Sequence, residues 1–253
     1  MINLNKNISL NLLQEFVKQN IQERVDYLPK GFYKEQKYAL ETFQKRIFLE
    51  SIIDESITFN KKLSWNVENK NLSLISTAEE LVQVFKLRSD VFREINYQNE
   101  FPDTIEGLNF DIYDKTSAII YYKNNKEVTA TIRLIFDSSN KLPSEEKCSF
   151  DNMREKYACI GEISRNIVKT RGSGLNQEFK YLMCGIYNIF INNNIDIALS
   201  GIKKEHYKLF EKLGGVEIYE ELSTYGSFDT PCLIISYNPN LASKFFKKVF
   251  LGL

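Results

Sequence analysis

The chain has 253 residues, 43% of them hydrophobic and 26% charged, a globular composition with room for one large domain or one domain and an appendage. Lysine plus arginine equals aspartate plus glutamate at 33 each, so no global charge steers it toward nucleic acid. One histidine, His206, and four cysteines without a Cys-x-x-Cys pair argue against a metal centre and against Ser-His or Cys-His nucleophiles, which leaves acid–base work to carboxylates, tyrosines, lysines or water.

Residues 1–70 read as helical. Leu10, Leu13, Phe16, Val17 and Ile21 recur at helical spacing, Pro29 and Gly31 interrupt the pattern, and a second periodic segment covers 33–57. The polar stretch 60–71, with Trp65 in it, reads as a linker. Residues 1–70 are therefore expected to form a helical appendage, a lid or packing element, and 71–253 the main domain. Residues 72–76 form a short strand. Thr77 with Glu80 three positions on is a capping box opening a helix to about residue 95. The loop 96–111 is too long to be idle in a compact domain. A strand at 117–122, a turn at Asn124-Asn125 and a return strand at 127–136 follow; Val128, Ala130, Ile132 and Leu134 face one way, Thr129, Thr131 and Arg133 the other. Residues 138–157 are a mixed loop or short helix.

Residues 160–175 organise the rest: a strand, a tight glycine turn, then a helix running to about 192. A helix opening after Gly172 and Gly174 presents free N–H groups to an anion, and the glycines let backbone approach it. Glu162, Ser164 and Arg165 lie on the strand that feeds this turn. Beyond it come a strand at 195–202, a helix at 203–213 stopped by Gly214-Gly215, and two pairing strands at 216–222 and 231–237. The tail 238–253 is a short basic and apolar helix, either docked on the domain or in peripheral membrane contact. The cysteines (Cys148, Cys159, Cys184, Cys232) read as core fillers and fit a reducing cytoplasm; His206 reads as a surface residue. No signal peptide and no bilayer-spanning run is expected.

With Lys169-x-x-Gly172-x-Gly174 between a strand and a helix, this element order resembles the GCN5-related N-acetyltransferase (GNAT) superfamily. The resemblance implies an α/β fold with a GNAT-like mixed central sheet flanked by helices, here behind the N-terminal helical appendage. Lys169 stands where that superfamily carries Gln or Arg. A second set of residues sharpens the likeness: Arg88-x-x-x-Phe92, Phe110-Asp111-Ile112-Tyr113-Asp114, Arg133 in a strand, and Glu162-Ile163-Ser164-Arg165. In order and spacing it is similar to the acyl-homoserine-lactone synthases and the related N-acyl amino acid synthases, over about residues 72–237.

That resemblance implies an N-acyltransferase that moves a fatty acyl group from acyl carrier protein, its expected partner, or from acyl-CoA to an amine, with no permanently bound cofactor and no metal. Arg88, Asp111, Asp114, Arg133, Glu162 and Arg165 match the charged cluster around the family's acceptor site. Phe92 matches an aromatic of that pocket, and Lys169, Arg171, Gly172 and Gly174 lie where the donor's phosphopantetheine is held. The synthases place a tryptophan six residues after the Phe, around S-adenosylmethionine; here that position is Gln98, with Tyr97 beside it, which favours an amino acid acceptor over a homoserine-lactone product. Glu162 is the expected general base, with backbone N–H groups at a bend of its strand for the oxyanion, and Arg88, Arg133 and Arg165 suit a carboxylate. On an ideal strand Glu162 and Arg165 face opposite ways and would be solvent charges unless a bulge re-aims one of them. Asp111 and Asp114 are open to a plainer role, starting a strand after the loop with Asp114 as a turn residue. A short-chain acetyltransferase and a non-catalytic acyl-lipid binder are the competing functions.

Overall fold

The computed structural model describes residues 33–138, 141–169, 176–228 and 230–252. The chain divides into two compact units, residues 1–54 and 55–253. Helix α1 (Tyr33–Asn60) supplies the described part of the first unit, and its last residues belong to the second. The pattern expected over residues 10–21 and the break at Pro29 and Gly31 lie outside the described residues.

The larger unit is built on one seven-stranded sheet: β1 (Leu72–Leu74), β2 (Ser117–Asn124), β3 (Glu127–Phe136), β4 (Ile160–Val168), β5 (Ile197–Lys203), β6 (Val216–Leu222) and β7 (Cys232–Tyr237), in the order β1-β2-β3-β4-β5-β7-β6. All neighbours are antiparallel except β4 and β5. That parallel pair is in register from Ile160 to Glu162 against Ile197 to Leu199. Past this point the strands part: β4 continues along β3 and β5 along β7. Gly161 is fixed by close approach, since a Cβ there would lie 2.7 Å from the Ile135 carbonyl oxygen.

Helix α2 (Ala78–Glu94) opens on the predicted capping box, with the Thr77 hydroxyl accepting from the Glu80 N–H and the Glu80 carboxylate from the Thr77 N–H. The other helices are α3 (Asp151–Lys156), α4 (Gln177–Asn192), α5 (Tyr207–Glu211) and the short α6 (Lys244–Phe246). The β2–β3 turn falls on Asn125 and Lys126, one residue later than expected; both have positive φ, the geometry whose twist matches a two-residue hairpin. Leu182, Met183, Ile186, Ile189 and Phe190 of α4 bury against Ile120, Ala130, Ile132 and Leu134, each side chain contributing about 1.5–3 kcal/mol of transfer free energy.

Two expectations change. Residues 61–71 are not a free linker: Asn193 bonds both the N–H and the carbonyl of Ser64, Asn188 does the same for Asn66, and Trp65 packs on the core. The membrane contact offered by the C-terminal helix is unsupported, because its apolar side chains are used internally. Phe246 and Phe250 are buried and stack at 4.8 Å, Val249 packs beside them, and Phe245 alone of the set is exposed. Among the described residues no helix is long and apolar enough to cross a membrane.

Candidate active site

The site begins with an irregularity in β4. Arg133 of β3 pairs with Ser164 and Thr131 with Ile167, so β4 carries an extra residue there, and Arg165 takes a φ of +52°. This is a β-bulge, and it brings Arg165 round to the face that Glu162 and Ser164 share. Arg165 then reaches Asp111, donating from Nη2 to Oδ2 at 3.0 Å. Its guanidinium lies 4.4 Å from the centre of the Phe101 ring and 5.3 Å from that of Phe92, cation–π contacts strengthened by burial.

Asp111 and Asp114 are neither strand residues nor simple turn residues. They form a reciprocal cap on the 3₁₀ turn Ile112–Thr116: Asp111 accepts from the Tyr113 N–H, and Asp114 from the Asp111 N–H. The cap presents both carboxylates to arginines. Arg133 donates from Nη1 to Asp111 Oδ1 at 2.5 Å and stands 3.1 Å from Asp114 Oδ1, while its Nε donates to Ser164 Oγ at 3.0 Å. Arg88 of α2 donates to Asp114 Oδ1 at 2.8 Å, both side chains wholly buried. The end of α1 clips the turn in place: Ser56 donates to the Asp114 carbonyl, and Asn60 pairs with Ser117 and Ile119 of β2.

Three guanidinium groups against two carboxylates leave this cluster one positive charge in surplus. Burial raises the carboxyl of Asp111, but its arginines outweigh that and hold it well below the usual carboxylate range. Burial pulls Arg165 down to about 10 against the pull of Asp111, still a cation near neutrality. Arg165 Nε has no partner among the described residues, nor do Arg88 Nε and Nη2.

Glu162 sits two residues before Ser164 with 2% of its surface exposed. Its carboxylate accepts from the Ser144 N–H and the Ser144 hydroxyl, both at 2.9 Å, and Ser144 Oγ lies 3.4 Å from the Tyr225 hydroxyl. Burial pushes Glu162 up to about 7, with the Ser144 bonds and the arginines pulling the other way. It is thus a carboxyl group that exchanges a proton near neutral pH.

Asp111, Arg133, Glu162 and Arg165 line a cavity of 320 Å³ that passes through the gap between β4 and β5. One end is polar and aromatic: Asp111, Arg133, Glu162, Arg165, Phe92 and Tyr225 among others. The other, on the α4 face, is apolar, with Met183, Phe210, Leu213, Val216, Ile235 and Tyr237.

The predicted residues divide accordingly. Phe92, Tyr97, Asp111, Arg133, Glu162, Ser164 and Arg165 meet at the cavity wall, whereas Arg88 and Asp114 stand behind it, Asp114 facing Arg133 and Arg88 pairing with Asp114. Gln98 is exposed, so Tyr97 and Phe101 supply the aromatic wall there. Lys169 is half exposed and paired with Glu127, away from the cavity wall. Arg171, Gly172 and Gly174 lie outside the described residues. His206 is exposed as expected, yet it also lines the cavity. Sequence reasoning missed Phe101, Lys203, Phe228, Ser144 and Tyr225. Only Ser144 carried a local signal, since Leu142-Pro143-Ser144-Glu145 reads as a helical start whose free N–H groups seek an acceptor.

The mixed sheet, its splayed parallel pair and a cavity through the splay define a GNAT-like acyltransferase fold. Three solved structures share it: FeeM, an N-acyl amino acid synthase from uncultured soil microbes (14% identity, 67% of this chain and 90% of that one, TM-score 0.52); BjaI, a CoA-dependent acyl-homoserine lactone synthase solved with MTA (17%, 69% and 82%, 0.53); and the acyl-homoserine-lactone synthase LasI (14%, 73% and 96%, 0.55). Comparison with curated proteins gives no match. The model of the family described as N-acyl amino acid synthase FeeM matches residues 83–238, more than half of the chain. The chain belongs to that family and is an acyltransferase.

Proposed function

We infer that the protein joins a fatty acyl group, delivered as a thioester of acyl carrier protein or coenzyme A in the cytoplasm, to the amine of an amino acid. The observation that carries this reading is the two-ended cavity: an apolar lobe for the chain and a surplus cation beside a carboxyl group of pKa about 7, joined through the β4–β5 gap. The lobe walled by Met183, Leu213 and Ile235 takes the acyl tail. Arg165, with Asp111 and Arg133 bracing it, takes the acceptor's carboxylate by a charge-assisted bond, and Phe92, Tyr97 and Phe101 flank the acceptor. Glu162 removes the amine proton, directly or through a water, an action worth roughly 10²–10⁴ in rate. Backbone N–H groups at the Arg165 bulge stabilise the oxyanion; each such donor is worth about 3–4 kcal/mol. Four free cysteines support a reducing compartment.

Incubation with long-chain acyl-coenzyme A or acyl carrier protein, together with amino acids or S-adenosylmethionine and read by mass spectrometry, tests the reading. It predicts N-acyl amino acids. Release of methylthioadenosine with a lactone product would overturn it in favour of a homoserine-lactone synthase, and turnover confined to acetyl donors in favour of a short-chain acetyltransferase.

A further inference from the structure

Amide formation makes one proton and needs one: the amine must lose a proton, and the departing thiolate must gain one. Glu162 accounts for the first. For the second, a chain of two side chains leads away from it. The Ser144 hydroxyl bonds Glu162 Oε1 at 2.9 Å and lies 3.4 Å from the Tyr225 hydroxyl. Both ends, Glu162 and Tyr225, line the cavity, whereas the middle, Ser144, is wholly buried. Tyr225 is held for such a task. It starts a tight turn closed by paired backbone bonds with Phe228, and the Ser227 N–H of that turn donates to Glu100 at 2.6 Å. Gly226 at the tip has a φ of +57°, and a Cβ there would strike the Glu100 carboxylate.

We propose that Ser144 and Tyr225 form a relay that carries the proton taken by Glu162 to the departing thiolate. The proposal rests on the acyl-transfer reading of the site. As the amine nitrogen bonds to the acyl carbon and loses its proton to Glu162, the C–S bond breaks and its electron pair stays on sulphur. Once protonated, Glu162 donates to Ser144 Oγ and the two hydroxyls turn round; the Glu162 proton then passes to Ser144 Oγ as the Ser144 proton passes to Tyr225 Oη and the Tyr225 proton to sulphur. The three groups finish as they began: carboxylate, alcohol and phenol. Burial raises Tyr225, so phenolate does not accumulate and the phenol conducts the proton rather than storing the charge.

The test compares two donors of one long-chain acid, its coenzyme A thioester and its S-phenyl thioester, with the same amino acid acceptor. An aryl thiolate leaves without help, whereas an alkyl thiolate gains from a proton. Tyr225→Phe is expected to lower kcat with the coenzyme A donor by about 100-fold, within the range of general acid–base catalysis, and with the S-phenyl donor by far less. Ser144→Ala, which also loosens Glu162, lowers both rates, the coenzyme A rate more steeply. Thermal melting confirms that each variant is folded. Equal losses on the two donors, or no loss in Tyr225→Phe, overturn the relay while leaving acyl transfer standing. Absence of wild-type turnover with both of these donors and with the acyl carrier protein thioester overturns acyl transfer, and the relay with it.

Discussion

Replacing Glu162 by glutamine probes the site through stability as well as rate. Burial favours the protonated carboxyl and lifts it from 4.5 to about 7. The stability that the neutral form confers is complete below pH 4.5 and lost as the pH rises to about 7; above that, the folded protein carries a buried charge at a constant penalty. At 1.36 kcal/mol per pH unit the difference is about 3 kcal/mol. Glutamine keeps the shape of the neutral acid and does not titrate. Thermal melts of both proteins from pH 4 to pH 9 then report a gap that widens with pH in the variant's favour, by roughly 6–12 °C for a protein of this size. All other titrating groups cancel between the two. The same variant loses roughly 10²–10⁴ in kcat/KM, and wild-type kcat/KM rises with pH around a midpoint near 7. A melting gap that does not change with pH would show that Glu162 is not a buried acid of raised pKa and would remove the physical basis for its role as base.

Other substitutions separate the parts of the cavity. Arg165→Met takes away the cation beside Asp111; it is expected to raise the acceptor KM by about 10–100-fold, the worth of a hydrogen bond to a charged group, with little effect on the donor KM. Met183→Trp fills the apolar lobe and shifts the donor profile to shorter chains, measured on an acyl-coenzyme A ladder; an unchanged profile would place the tail elsewhere. Tyr237 has a buried hydroxyl without a partner among the described residues, so Tyr237→Phe is expected to be neutral or stabilising by up to about 1 kcal/mol in urea unfolding.

Much of the scaffold is legible because it is local. Thr77 and Glu80 announce a helix start three residues apart, and the alternation from Val128 to Leu134 marks a strand. Gly214 and Gly215 end a helix through left-handed backbone. The long loop at 96–111 carries Tyr97, Phe101 and Asp111 to the cavity wall, a placement that its length alone did not specify. The charged cluster was legible only through resemblance, because Arg88, Asp111, Arg133 and Arg165 come from a helix, a loop and two strands. Which of them face the cavity depends on one extra residue in β4, and nothing in Ile163-Ser164-Arg165-Asn166 announces a bulge. Ser144 meets Glu162 and Tyr225 meets Ser144 over long sequence separations, through contacts that no local periodicity encodes.

On the proposed function, one cavity, threaded between β4 and β5, holds the acyl tail at one end and the amine acceptor at the other. A crystal structure with a bound N-acyl amino acid shows where each end of the product lies. The expected result is the tail against Met183, Leu213 and Ile235, the amide at the Arg165 bulge within hydrogen-bond reach of Glu162, and the carboxylate on Arg165. A tail lying outside the β4–β5 gap, or an amide remote from Glu162, would contradict it.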